Sequence, residues 1–162
     1  MKILSVRANN HRKAFDVTLA GRTLPFPFAK AVPIPLASDK VMSCRVDAEL
    51  GREAFTYVLA SGHEGSIHVE QVLDYNQDPA YLRDMLLYKL TLEAQRRVDA
   101  SLLSKREIIR QLGTSAAQFY RLLDQTNTRT SVDQILALLQ ILGCEIDFVV
   151  RSKATRKRSK AA

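Results

Sequence analysis

The stretch Ser104-Lys-Arg-Glu-Ile-Ile-Arg-Gln-Leu-Gly-Thr-Ser-Ala-Ala-Gln-Phe-Tyr-Arg-Leu-Leu-Asp124 holds two helix starts and one helix stop. Ser104 stands three residues before Glu107, and Ser115 three before Gln118. At that spacing a serine hydroxyl accepts from the third amide of the helix while the third side chain returns to the serine amide. Ser131 and Gln134 repeat the pattern further on, and Gly113 and Gly143 close two of the segments. Glycine enters the left-handed region that ends a helix without a Cβ clash. The spacing therefore predicts a helix over 105–112, a tight turn at Gly113-Thr114, a helix over 116–123, a loop, and a helix over 132–142.

On the N-terminal side, Gln77-Asp78-Pro79 marks another start: Asp is a good N-cap, and Pro at the first helical position has no N–H to lose. Leu82, Met85, Leu86, Leu90, Ala94 and Val98 then recur every three or four residues, which predicts a helix to about Ala100. Before it, from Met1 to about Asn76, the apolar period is close to two, as in Ala14–Leu19, Val41–Val46 and Ala54–Leu59. Ala20-Gly21-Arg22, Leu50-Gly51-Arg52 and Gly62 to Gly65 read as turns, and the prolines between Pro25 and Pro35 as an irregular connection. Glu145-Ile-Asp-Phe-Val-Val150 alternates and reads as a strand, which would be an exposed edge unless it paired with a second copy or with the first sheet. The expected fold class is α+β: a small antiparallel β-rich domain, then an all-α helix-turn-helix domain with a C-terminal strand. The expected boundaries are 1–76 for the β-rich domain, 77–101 for a connecting helix, 102–151 for the helix-turn-helix domain and 152–162 for a disordered basic tail.

The net charge of +7 is unevenly spread. Residues 1–80 hold 9 basic and 9 acidic side chains, whereas 81–162 hold 15 and 8. Six of those cations lie in the last twelve residues, a tail that suits either a DNA-binding arm or a solubilising end. Between Arg96 and Arg129 there remain 7 basic residues against 3 acidic ones, so a polyanion partner is expected there. With 46% hydrophobic and 25% charged residues and no apolar run near the ~20 residues of a membrane helix, a cytoplasmic globular protein without a membrane partner is expected. Cys44 and Cys144 stand apart without metal-ligand spacing and read as small apolar residues. His63-Glu-Gly-Ser-Ile-His68 does not have the helical pair spacing of a zinc protease, and no nucleophile has an activating frame. Neither a metal, a cofactor nor an enzyme is expected, and Asp47, Glu49 and Glu53 read as a solvated loop.

Two short helices about a glycine turn allow one to brace on the phosphate backbone while the next enters the major groove. The segment from Lys105 to Asp124 resembles the helix-turn-helix of phage-repressor-like (XRE class) bacterial regulators and of the HigA-type antitoxins that share it. Gly113 corresponds to the turn glycine, Ser115 to the capping hydroxyl, and Ile108, Leu112, Phe119 and Leu122 to buried positions; Leu138 to Gly143 is similar to the stretch that closes such domains. Lys105 replaces a usual Gln and Ile109 a usual small residue. The resemblance implies a sequence-specific DNA-binding regulator associated with the nucleoid, acting as a homodimer on paired half-sites. Ala116 and Ala117, at positions that often read bases, offer only methyls to thymine, so base reading falls on Gln118, Tyr120 and Arg121. Arg121 suits guanine, and Gln118 suits adenine if its capping role leaves it free. Lys105, Arg106, Ser115, Asn127, Thr128 and Arg129 would contact phosphate.

Plainer readings stand beside these. The same pattern suits a structural helical hairpin, Arg121 a surface charge or a partner of Asp124, and Tyr120 half-buried packing. A second function from another class is an antitoxin-type protein that neutralises a partner toxin and uses DNA binding to regulate its own operon.

Overall fold

The computed structural model describes residues 1–152. Of the expected basic tail only Ser152 falls among them. The chain divides into two compact units, Met1–Leu86 and one from Leu87 onward.

The first unit contains two three-stranded antiparallel sheets. Strands β1 (Ser5–Asn9), β2 (Ala14–Leu19) and β3 (Arg22–Pro27) form one; β4 (Val41–Val46), β5 (Ala54–Leu59) and β6 (Glu64–His68) form the other. Alternation decides which face goes inward: Phe15, Val17 and Leu19 of β2 and Phe55, Tyr57 and Leu59 of β5 are buried in a shared core. Gly21, at φ 78°, closes the two-residue turn that pairs Leu19 with Arg22. Pro25 and Pro27 sit on β3, an edge strand, where a missing ladder donor is tolerated.

The middle strands of the two sheets share a short pattern. Ala14-Phe15 and Leu19-Ala20 recur as Ala54-Phe55 and Leu59-Ala60, forty residues on, in the middle strand of each sheet. The matching phenylalanines meet edge to face, with ring centroids 5.1 Å apart. Volume is distributed differently in the two sheets. Val17 lies opposite Leu24 in the first sheet, and Tyr57 opposite Gly65 in the second. The sheets adjoin along β1 and β4, where the Asn10 amide donates to Val41 O (3.2 Å) and accepts from Val41 N (3.3 Å).

A short helix, α1 (Val69–Tyr75), belongs to this unit. His68 opens it: the Gln71 side chain accepts from the His68 amide at 2.9 Å, and His68 Nδ1 accepts from Glu70 N at 3.4 Å. Val69, Val72 and Leu73 enter the core, and the Asn76 amide donates to Pro25 O (2.9 Å) on the β3 edge.

The second unit takes up most of α2 (Pro79–Ala100), which spans the division, followed by α3 (Lys105–Leu112), α4 (Ala116–Leu122) and α5 (Val132–Ile141). Leu87, Ala94 and Val98 of α2 share a core with Ile108, Phe119, Leu122, Ile135, Leu138 and Leu139.

The expected fold class needs correction. The chain is α+β with strands first and helices after, but it has two small sheets rather than one. The helices do not segregate into an all-α helix-turn-helix domain with a C-terminal strand, because α1 and the first turns of α2 belong to the sheet unit. Glu145–Val150 forms no strand. Alternation alone does not make one, since a strand needs a ladder partner for its amides and carbonyls.

Asp78 joins β3 to α2 and is buried. Its carboxylate accepts from Tyr81 N at 3.0 Å, as an N-cap, and pairs with Arg22 at 2.5 Å. The Tyr81 amide, aided by Arg22 and opposed by burial, holds its pKa below the ordinary carboxylate value. The stabilisation is therefore complete above the unfolded value and is lost as pH falls through the folded one. We predict that Asp78→Ala lowers stability by about 2 kcal/mol at neutral pH through the lost cap and charged hydrogen bond. Asp78→Asn, which retains an acceptor, should lose less and should flatten the acid limb of stability in denaturant titrations run below about pH 4.

Candidate nucleic-acid interface

The helix starts of this region are local. Ser104 Oγ accepts from Glu107 N at 3.2 Å and Ser115 Oγ from Gln118 N at 3.1 Å. Ser131 opens α5 without a side-chain cap. Gly113, at φ 65° and ψ 32°, ends α3 and turns the chain into α4 within three residues. The reciprocal half of the capping box is absent at both starts. Glu107 turns instead to Arg110 and Gln111, which pull its pKa down to about 2.

Phe119 and Leu122 face inward from α4, which leaves Ala116, Ala117, Tyr120 and Arg121 exposed. Gln118 is half-buried, and its side chain makes no hydrogen bond among the described residues, so capping leaves it free. Tyr120 is 55% exposed and rests edge-on against Phe119. Of the two plainer readings of Arg121, a partnership with Asp124 does not form; Thr126 donates to Asp124 Oδ1 through both its amide (2.9 Å) and its hydroxyl (2.7 Å).

The charges sort into two groups. Arg96 and Arg97 pair with Glu93, and Arg110 with Glu107, each within its own helix. Lys105, Arg106, Arg121 and Arg129 make no ion pair among the described residues, and all four are exposed.

Beside α4 lies a concave depression of about 670 Å³ lined by Gln118, Arg121, Asn127, Arg129, Thr130, Ser131 and Gln134, among others. It gathers four of the expected site residues; Thr130, Ser131 and Gln134 are additions. Asn127 ties the loop, donating to Arg121 O at 3.3 Å and accepting from Arg129 N at 3.2 Å. The buried Thr130 hydroxyl has no partner among the described residues. Thr128 is exposed on the same loop, whereas Lys105 and Arg106 lie on the first turn of α3.

Two residues that sequence reasoning missed hold this arrangement. Gln95 of α2 donates to Leu123 O (2.6 Å) at the end of α4, and Gln125 donates to Gln95 Oε1 (2.7 Å). Nothing local in the sequence signals a contact between residues about thirty apart.

Among the described residues no helix is long and apolar enough to cross a membrane. In comparisons with known proteins, no family model, no curated protein and no solved structure matches the chain.

Proposed function

We propose that the chain is a sequence-specific double-stranded DNA-binding protein, a nucleoid-associated transcriptional regulator of the XRE-like kind and not an enzyme, that lays the helix over 116–123 in the major groove. The observation that carries this reading is the sorting of charge. Among the described residues of the second unit Arg96, Arg97 and Arg110 are paired on their own helices, whereas Lys105 and Arg106 of α3, Arg121 of α4 and Arg129 of the following loop are exposed and make no ion pair, as are Lys89 and Arg151 elsewhere. Exposed, unpaired guanidinium and ammonium groups on α3, α4 and the loop that follows suit a surface of phosphates.

The roles follow from chemistry. Arg121 is the base reader, because a guanidinium meets guanine O6 and N7 with two parallel bonds. Gln118 has a free amide for adenine, and the Ala116 and Ala117 methyls suit thymine. Lys105, Arg106, the Ser115 hydroxyl, Thr128 and Arg129 contact phosphates, while Asn127 sets the loop that presents Arg129. The protein acts on paired half-sites as a homodimer.

Selection of bound sequences from random duplexes, run with wild type and Arg121→Ala, tests this. The expected result is a symmetric motif that loses preference at one base pair per half-site in the variant, with a loss of roughly 1–3 kcal/mol. Affinity should fall with salt by a log-log slope of about 0.9 per neutralised phosphate. Uniform weakening at every position would instead make Arg121 a phosphate contact. No enriched motif at all would refute the reading.

A further inference from the structure

Strand β2 is the middle strand of its sheet, yet it carries Asp16 near its centre. Asp is depleted from strands, because its short polar side chain competes for nearby backbone groups and packs poorly on a pleated face. Where β2 holds Asp16 and Thr18, the matching positions of β5 hold Thr56 and Val58, both good strand residues.

With Phe15, Val17 and Leu19 turned into the core, the opposite face of this sheet is built from two rows that cross all three strands. Ser5, Thr18 and Thr23 form one row, and Arg7, Asp16 and Pro25 the other. Together with Arg12 they line a depression of about 520 Å³. Small-molecule sites occupy roughly 300–1,000 Å³. Asp16 lies across the ladder from Arg7 but pairs with Arg12, at 3.6 Å. Arg7 makes no ion pair among the described residues and is exposed. The depression therefore holds one uncompensated guanidinium beside a row of hydroxyls. Thr18 and Thr23 share a hydrogen bond of 3.1 Å, which occupies one of their hydroxyl hydrogens and leaves the other to donate.

We infer that this face binds a small phosphate monoester whose alcohol part is a sugar. A guanidinium meets two oxygens of one phosphate with parallel, charge-assisted hydrogen bonds, and Arg7 is the group whose fork is unpaired. A phosphate alone fills only part of the depression. The rest of its wall is hydroxyl, carboxylate and the Pro25 ring, which suits a body that carries hydroxyls on a carbon frame. Asp16 can accept from such hydroxyls while it holds Arg12, because a carboxylate has more lone pairs than one partner uses. The strand ladder fixes both rows before a ligand arrives, which lowers the entropy lost on binding. The inference does not rest on the proposed function.

Amide NMR titration of the full chain with glucose 6-phosphate, without DNA and at constant ionic strength, tests it. The expected result is saturable shifts at Ser5 to Arg7, Asp16 to Thr18 and Thr23 to Leu24, with weaker binding of inorganic phosphate and none of glucose. Arg7→Gln should weaken binding about tenfold, as expected for the loss of a charged hydrogen bond. Arg45→Gln, on the outward face of the second sheet, should leave it unchanged. Both side chains are exposed, so both variants should keep the wild-type circular dichroism. No saturable shift on this face, inorganic phosphate binding as tightly as the ester, or equal losses in the two variants overturns the proposal. Because no duplex is present, such a failure leaves the DNA reading standing.

Discussion

Replacing Phe119 by Ala costs the second unit about 3–5 kcal/mol, the range for removing a buried phenylalanine ring from a core that cannot fully close around the space. Phe119 is 0% exposed and points from α4 into the cluster containing Ile108 of α3, Ile135 and Leu138 of α5, and Val98 of α2. α4 is only seven residues long, too short to persist by its own propensity. Its form depends on this packing and on the bond from Gln95 to Leu123 O. Amide exchange should therefore quicken across α3, α4 and α5 in Phe119→Ala, while the sheets of the first unit, which have their own core, keep their protection. Exchange that quickens equally in both units would mean that they unfold as one. A loss below about 1 kcal/mol would show that the ring does not anchor α4.

The second large effect is expected at Gly65. A Cβ built there runs into the Tyr57 ring, which cannot retreat: Tyr57 is 0% exposed, packs on Phe15 with centroids 5.0 Å apart, and is bonded through its hydroxyl to Pro33 O. Burial pushes the Tyr57 hydroxyl pKa up to about 12, so it remains a neutral donor across the ordinary pH range. Gly65→Leu should destabilise the first unit by about 3 kcal/mol or more, at the upper end of overpacking effects. The matching register of the two middle strands suggests the compensation. In the first sheet the equivalent positions hold Val17 opposite Leu24, so Tyr57→Val together with Gly65→Leu transfers the second sheet to that distribution of volume. Thermal unfolding should find the double variant more stable than Gly65→Leu alone. If the two losses simply add, the rings and glycine are not exchanging space as the register implies.

What could be read from the sequence divides along physical lines. The helices that start at Pro79, Lys105 and Ala116 begin where Asp78, Ser104 and Ser115 cap them, because an N-cap is a local interaction over three or four residues, whereas α5 starts after Ser131 without a side-chain cap. The helix α1 was hidden by a histidine cap and by its position at the end of alternating strands, although Val69, Val72 and Leu73 have the helical spacing that would have found it. The recurrence of Ala-Phe and Leu-Ala at a fixed offset was also legible, and it would have suggested two similar middle strands. Glu145–Val150 misleads because alternation states which residues could share a face without stating whether a neighbouring strand exists. The candidate interface was legible in its cations and in the α4 face, while the depression, Gln95 and Gln125 depend on contacts across the fold. Which arginines are free was likewise settled by rotamers, with Asp124 taken by Thr126 and Glu107 by Arg110.

The most direct test of the account is residue-resolved amide NMR of the protein with a duplex carrying the selected motif, at moderate salt, against heparin as a competitor. The account predicts that the largest shifts fall on Lys105–Arg106, Ser115–Arg121 and Asn127–Ser131, and that heparin displaces the duplex poorly. Shifts confined to residues 1–86, or a duplex that heparin displaces as readily as random DNA, would contradict it.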